Sequence, residues 1–153
     1  MSQQYLRRLN QVKSDFDAAD DALSYVSRNW DKNNISQEVS RSKLADFRKA
    51  QVGLETMFFI RLFATFEGIL KQHLVERHST LTLPEDPKAV WLIDRVGNLQ
   101  RPRITLPLRV RVHDVRCYRN YLVHSGRHWM PQIVFIDALT GLGRFVSHLP
   151  EPY

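Results

Sequence analysis

The first 83 residues contain no proline and only two glycines, Gly53 and Gly68, so nothing in that half of the 153-residue chain forces the backbone out of a helix. The apolar residues agree. Tyr5, Leu9, Val12, Phe16, Ala19, Leu23, Val26 and Trp30 recur at steps of four and three, which predicts one long helix with a narrow apolar stripe. That spacing also suits a coiled coil, but about three and a half heptads without sustained e/g pairing fits a helix docked in a bundle better. Asp31 to Ser42 is polar and reads as a turn that ends this helix and caps the next, an αα-hairpin. From about Ser42, the series Leu44, Phe47, Gln51, Leu54, Phe58, Leu62, Phe66, Ile69 and His73 keeps helical period to about His78. Phe59, Phe63, Leu70 and Leu74 add a second stripe, so the second helix is expected to be buried on most sides.

Prolines then recur at Pro84, Pro87, Pro102, Pro107, Pro131, Pro150 and Pro152, and the second half is expected to be built of shorter pieces. Ala89 to Leu99 reads as a short helix with Val90, Leu92, Ile93 and Val96 facing inward. Arg101-Pro102-Arg103 is an Arg-lined loop, and Pro107 sits in the first turn of a helix that runs to about Ser125. Arg127 to Pro131 is a connector whose Trp129 either closes over a site or plugs the bundle end. Phe135, Leu139, Leu142, Val146 and Leu149 mark a last amphipathic helix, and Pro150 to Tyr153 should fray. No alternating, strand-like segment stands out, so the expected fold is all-α. It is a helical bundle with a long N-terminal hairpin and shorter C-terminal helices, forming one domain over residues 1–153.

Cys117 is the one cysteine, which rules out an intramolecular disulfide and fits a reducing, cytoplasmic setting. No apolar run approaches the ~20 residues of a bilayer span, and the N-terminal stretch lacks the apolar core of a signal peptide. The formal net charge is +6, yet Arg95 to Arg127 alone holds eight Arg, no Lys and a single acid, Asp114. Such a local excess of planar cations suits recognition of phosphate oxygens, although a charge run is also what a solvated helix face looks like.

The chemistry concentrates at Arg116-Cys117-Tyr118-Arg119-Asn120-Tyr121-Leu122-Val123-His124-Ser125-Gly126. In a regular helix Arg119 and His124 lie about 140° apart around the axis, whereas Asn120 and His124, at i and i+4, share a face. Gly126 suggests a left-handed helix cap just beyond His124, placing that residue where the helix dipole favours positive charge. An imidazole, a guanidinium and an amide in basic surroundings are what cleavage of RNA by its own 2'-hydroxyl requires, with no cofactor or metal. His124 and His128, at i and i+4, are a conceivable metal pair, but the neighbourhood lacks carboxylates to complete a site.

Arg119, Asn120, three residues and then His124, before a Ser-Gly stop, resembles the motif of the HEPN superfamily of small helical domains, an Arg and a His with four to six residues between them. Arg61-Leu62-Phe63-Ala64-Thr65-Phe66-Glu67-Gly68-Ile69-Leu70 is similar to the aromatic-then-Glu stretch on the second helix of several HEPN branches. The resemblance implies a metal-independent endoribonuclease that leaves a 2',3'-cyclic phosphate, of the kind found in toxin-antitoxin or defence systems. It implies a homodimer with two motif copies facing one cleft, and an antitoxin or nucleotidyltransferase-type protein as a further partner. Arg119, Asn120 and His124 are then the expected catalytic residues. Arg116, Tyr121 and Arg127 are expected to bind substrate, and Glu67 to orient it or to pair with Arg119. Tyr118 and Tyr121 also fit core or dimer packing. Two other classes stay open: a catalytically silent HEPN-like module that binds RNA, nucleotide or a cognate protein, and a DNA-binding helical protein, for which no recognition-helix spacing is found.

Overall fold

The structure, a computed structural model, describes residues 3–30, 37–78, 83–124 and 130–150, the side chains of residues 30, 37–42 and 44 excepted. Five helices follow in chain order: α1 Gln3–Trp30, α2 Gln37–Arg77, α3 Ala89–Leu99, α4 Leu106–Val123 and α5 Phe135–Val146. No strand occurs among the described residues, and the fold is the all-α bundle that the periodicities predict. None of these helices is long and apolar enough to cross a membrane. The turn expected at residues 31–36, the helix stop expected at Ser125-Gly126, the connector expected at Arg127 to Trp129 and the fraying expected at residues 151–153 lie outside the described residues.

α1 and α2 run antiparallel, and four polar pairs fix their register. Tyr5 Oη donates to Glu76 Oε2 at 3.1 Å and Arg8 Nη1 to Gln72 Oε1 at 2.6 Å. Further along, Arg61 Nη2 pairs with Asp15 Oδ2 at 2.7 Å and Gln51 Nε2 donates to Asp20 Oδ1 at 3.0 Å. These exposed or part-exposed pairs contribute little energy each, so they set register while burial supplies stability.

Burial is confined to one half of the hairpin. α2 from Phe58 to Leu74 is the core: Phe59, Leu62, Phe63, Phe66, Ile69, Leu70 and Leu74 are all 2% exposed or less. Tyr5, Leu9 and Val12 of α1, Leu92, Ile93 and Val96 of α3, Val112 and Val115 of α4, and most of α5 close around it. Ring contacts tie the layers together. Phe16 meets Phe58 and Phe135, Phe59 meets Tyr118, and Phe66 meets Phe145 at centroid separations of 4.7 to 5.6 Å.

Three expectations need correction. α2 begins at Gln37, ahead of the expected start near Ser42, because serine is a neutral helix residue that does not break a helix. The helix is not buried on most sides throughout: Val52 and Met57 are 68% and 57% exposed, and Val26 on the α1 stripe is 45% exposed. No third element covers this end of the hairpin among the described residues, so apolar period there marks only contact between two helices. Val90, expected to face inward, is 41% exposed, while Leu92, Ile93 and Val96 are fully buried.

α4 is started by Thr105 in extended conformation with Pro107 in the first turn, where a missing N–H costs nothing. Its early arginines hold neighbours. Arg109 lies across Gly97 of α3, where an added Cβ would stand 2.6 Å from Arg109 Cδ, and its Nη1 donates to Asn98 Oδ1 at 3.1 Å. His113 Nε2 approaches Asp94 Oδ1 of the same helix at 3.2 Å, and Arg111 packs over Gly141 of α5.

Among the described residues His73 is the one ionisable side chain fully inside the core, 1% exposed, with Gln100 Nε2 3.0 Å from its Nε2. Burial first, then the charges of His78 and Arg77, push its pKa down from 6.5 to about 4. Above pH 6.5 neither folded nor unfolded chain binds this proton, and between 6.5 and about 4 only the unfolded chain does. Stability should therefore fall across that window, by on the order of 3 kcal/mol at its foot. Urea unfolding of wild type and His73→Gln at pH 7 and pH 4 tests this, and the loss between the two pH values should be smaller in the variant. Phe66→Ala should cost about 3–5 kcal/mol as a truncation of a fully buried ring, and a loss under about 1 kcal/mol would misplace the core.

Candidate functional site

The sequence motif falls on the last two turns of α4. Arg116, Asn120 and His124 are spaced at i, i+4 and i+8, which keeps them on one side of the helix, and Arg119 flanks them one residue before Asn120. His124 is the C-cap: its backbone N–H still donates to Asn120 O at 3.0 Å, while its φ of −104° and ψ of 23° leave the helix. The imidazole is exposed at the negative end of the helix dipole.

These four side chains line a groove of about 620 Å³. α2 supplies Phe63, Glu67 and Lys71 to it, the segment entering α3 supplies Asp86, Pro87 and Lys88, and the first turn of α3 supplies Ala89 and Val90. Pro84 and Pro87 keep that entering segment out of helix, and α3 starts only at Ala89, with Lys88 extended as its N-cap and making no side-chain cap. The positive end of the α3 dipole thus stands at the groove rim. Four cations, Lys71, Lys88, Arg116 and Arg119, face two carboxylates, Glu67 and Asp86, before His124 is counted.

Arg119 is half-buried and its Nη1 donates to Asn120 Oδ1 at 3.1 Å, so the amide holds the guanidinium on the groove side of α4. Arg116 Nη2 lies 3.2 Å from Cys117 Sγ. The Nε–H groups of both arginines are buried with no hydrogen-bond partner. The expected Arg119–Glu67 ion pair is not formed: among the described residues Arg119 pairs with Asn120, and Glu67 joins none of the ion pairs. The reason for expecting it was the cost of a carboxylate in an apolar helix, and the groove removes that cost by leaving Glu67 half-exposed.

Of the expected site residues, the structure brings Arg116, Arg119, Asn120, His124 and Glu67 together on one groove. Tyr121 is not on it; it is partly buried against the core and stacked on Tyr118, with centroids 6.1 Å apart and planes at 17°. Arg127 lies outside the described residues. Lys71, Lys88 and Asp86 were not singled out from the sequence. Lys71 stands one helical turn after Glu67, a spacing that could have marked it once Glu67 was chosen.

The Arg-rich segment is divided by the fold into separate tasks. Arg109 and Arg111 clamp α3 and α5, Arg101 Nη1 donates to the carbonyls of Asn98 in α3 and of its C-cap Gln100, and among the described arginines only Arg116 and Arg119 reach the groove. Two further grooves, of about 310 and 580 Å³, lie between the exposed parts of α1 and α2, remote in sequence from the motif and without a His or Cys. No group of three or more His, Cys, Asp and Glu is placed to hold a metal ion among the described residues.

Compared with protein-family models, with curated proteins and with solved structures, the chain matches none.

Proposed function

We propose that this protein is an endoribonuclease of HEPN type that cuts RNA without a metal, by attack of the substrate's own 2'-hydroxyl. One observation carries the reading: Arg119, Asn120 and His124 share a groove with Arg116 and Glu67, although Glu67 lies on a different helix. In this reaction the 2'-oxygen attacks phosphorus while a base takes its proton. The P–O5' bond then breaks, and the leaving 5'-oxygen receives a proton, giving a 2',3'-cyclic phosphate and a 5'-hydroxyl. His124, exposed at the helix end and open to solvent exchange, is assigned to proton transfer, an effect of typically 10²- to 10⁴-fold. Arg119 is assigned to the charge developing on the phosphate oxygens, with its fork held in place by Asn120. Arg116 adds a second planar cation to the same wall.

A single His serves poorly as both acid and base, and the reading therefore includes a symmetric homodimer in which α4 lies at or beside the two-fold axis. A C2 interface sets the same patch of two chains face to face, so one motif becomes two in one cleft. The same resemblance supports a role in a toxin-antitoxin or defence system, with an antitoxin or nucleotidyltransferase-type protein as cognate partner.

Incubation with mixed RNA in EDTA should give cyclic-phosphate ends. His124→Ala and Arg119→Ala should each reduce cleavage by at least about 10²-fold with the helical circular dichroism unchanged, and Asn120→Ala should reduce it less. A substrate with 2'-deoxyribose at the scissile position must resist. Cutting of that substrate, loss of activity in EDTA, or full activity of His124→Ala would each overturn the mechanism. Light scattering at micromolar concentration should give twice the 18.0 kDa chain mass, and an active monomer would sink the shared cleft.

A further inference from the structure

We propose that Lys71 and Lys88, on the wall of the groove formed by α2 and the entry to α3, bind a second phosphate of the RNA strand, and that Asp86 holds this place when RNA is absent. The inference rests on the groove being the RNA site. Its own basis is the arrangement around Asp86. Lys88 Nζ donates to Asp86 Oδ2 at 2.8 Å, and Lys71 lines the same groove from α2. Lys88 first, and Lys71 after it, hold the Asp86 carboxyl below its usual range, so this carboxylate lies in the field of both ammonium groups. The Asp86 carboxylate is thus an oxyanion already paired with Lys88 on a groove that Lys71 also lines.

The Asp86–Lys88 pair is weak enough to exchange. Its side chains are 78% and 77% exposed, and an ion pair this open to water gains little over its separated, solvated partners. A phosphodiester offers two oxygens that share a charge and brings counterion release, which a resident carboxylate does not. The two walls also differ in chemistry. Arg116 and Arg119 present planar forks suited to the phosphate that must be oriented for reaction, while lysines are compact point charges suited to a phosphate that needs only to be held. At about 620 Å³ the groove falls within the roughly 300–1,000 Å³ of clefts that bury a drug-sized ligand, which leaves room beyond a lone phosphate. Bound this way, a strand is fixed at two points, and its direction through the groove is set.

The test is fluorescence anisotropy with a short single-stranded RNA, 2'-O-methylated throughout so that it cannot be cut, titrated across a salt series. Lys71→Ala and Lys88→Ala should each weaken binding roughly 3- to 10-fold at low salt and each reduce the log–log salt slope by about 0.7. Asp86→Asn should tighten binding about 3-fold, since the competing carboxylate is gone. Lys49→Ala, on the exposed first half of α2, should change nothing. If wild type binds and Arg119→Ala weakens it, but the lysine and Asp86 variants leave affinity and slope unchanged, the second phosphate site is wrong and the groove reading stands. Equal weakening by Lys49→Ala and Lys71→Ala would mean diffuse attraction and would also overturn the site, as would weaker binding by Asp86→Asn. Absence of wild-type binding at low salt would instead remove the RNA reading itself.

Discussion

Burial of α2 between Phe58 and Leu74 is the constraint on which the other helices depend. Among the described residues α2 is the one helix that meets all four others, and along this stretch its apolar side chains point to several sides of the axis. A helix with so broad an apolar surface cannot be satisfied by one neighbour, so α1, α3, α4 and α5 are each held by what they cover on it. Where that breadth ends, before Phe58, the exposed Val26, Val52 and Met57 show both helices turning much of their described surface to water. His73, sealed in this core, has its pKa pushed down because burial strips the solvation of its charged form.

The groove is a consequence of the same packing. α4 buries Val112, Val115 and Tyr118, and with that rotation fixed, Arg116, Asn120 and His124 turn toward the gap between α2 and the entry to α3. Phe59 of α2 against Tyr118 holds the helix on its inner side, and Tyr121 stacks on Tyr118 within α4 and packs against the core. Tyr121 is thereby committed to packing, and the polar residues around it in sequence are left for the groove. A site set on helices held by a close-packed core keeps its geometry better than one set on loops.

Charge in this molecule is partitioned by contact. Arg109 and Arg111 spend their stems on glycines of neighbouring helices, where the missing Cβ admits a long side chain against the backbone. Arg116 and Arg119 face a groove that also holds Glu67 and Asp86, so the site is a mixed field with a cationic excess. Mixed fields of this kind favour anions of defined shape and place over general attraction to any polyanion.

The helices themselves were legible in the chain. Period, proline positions and a proline-ready helix start located α1, α3 and α4 to within a residue or two of their bounds and α5 at its start, because local spacing is all that an amphipathic helix needs; α5 ends at Val146, three residues before the last apolar residue of its stripe, Leu149. The motif at Arg119 to His124 was legible for the same reason, as a short run on one helix. The length of α2 was less so: a helix surface tolerates Ser as a turn does, and apolar period reads the same whether one helix or four lie against it. The groove was decided only by tertiary structure. Glu67 and Lys71 come to Arg119 from more than forty residues away in the chain, and Asp86 and Lys88 from a third segment, and no spacing rule links them. Which arginines would hold helices and which would face the groove was likewise set by the rotation of α4 on the core, since all of them carry the same charge in sequence and only packing tells their directions apart.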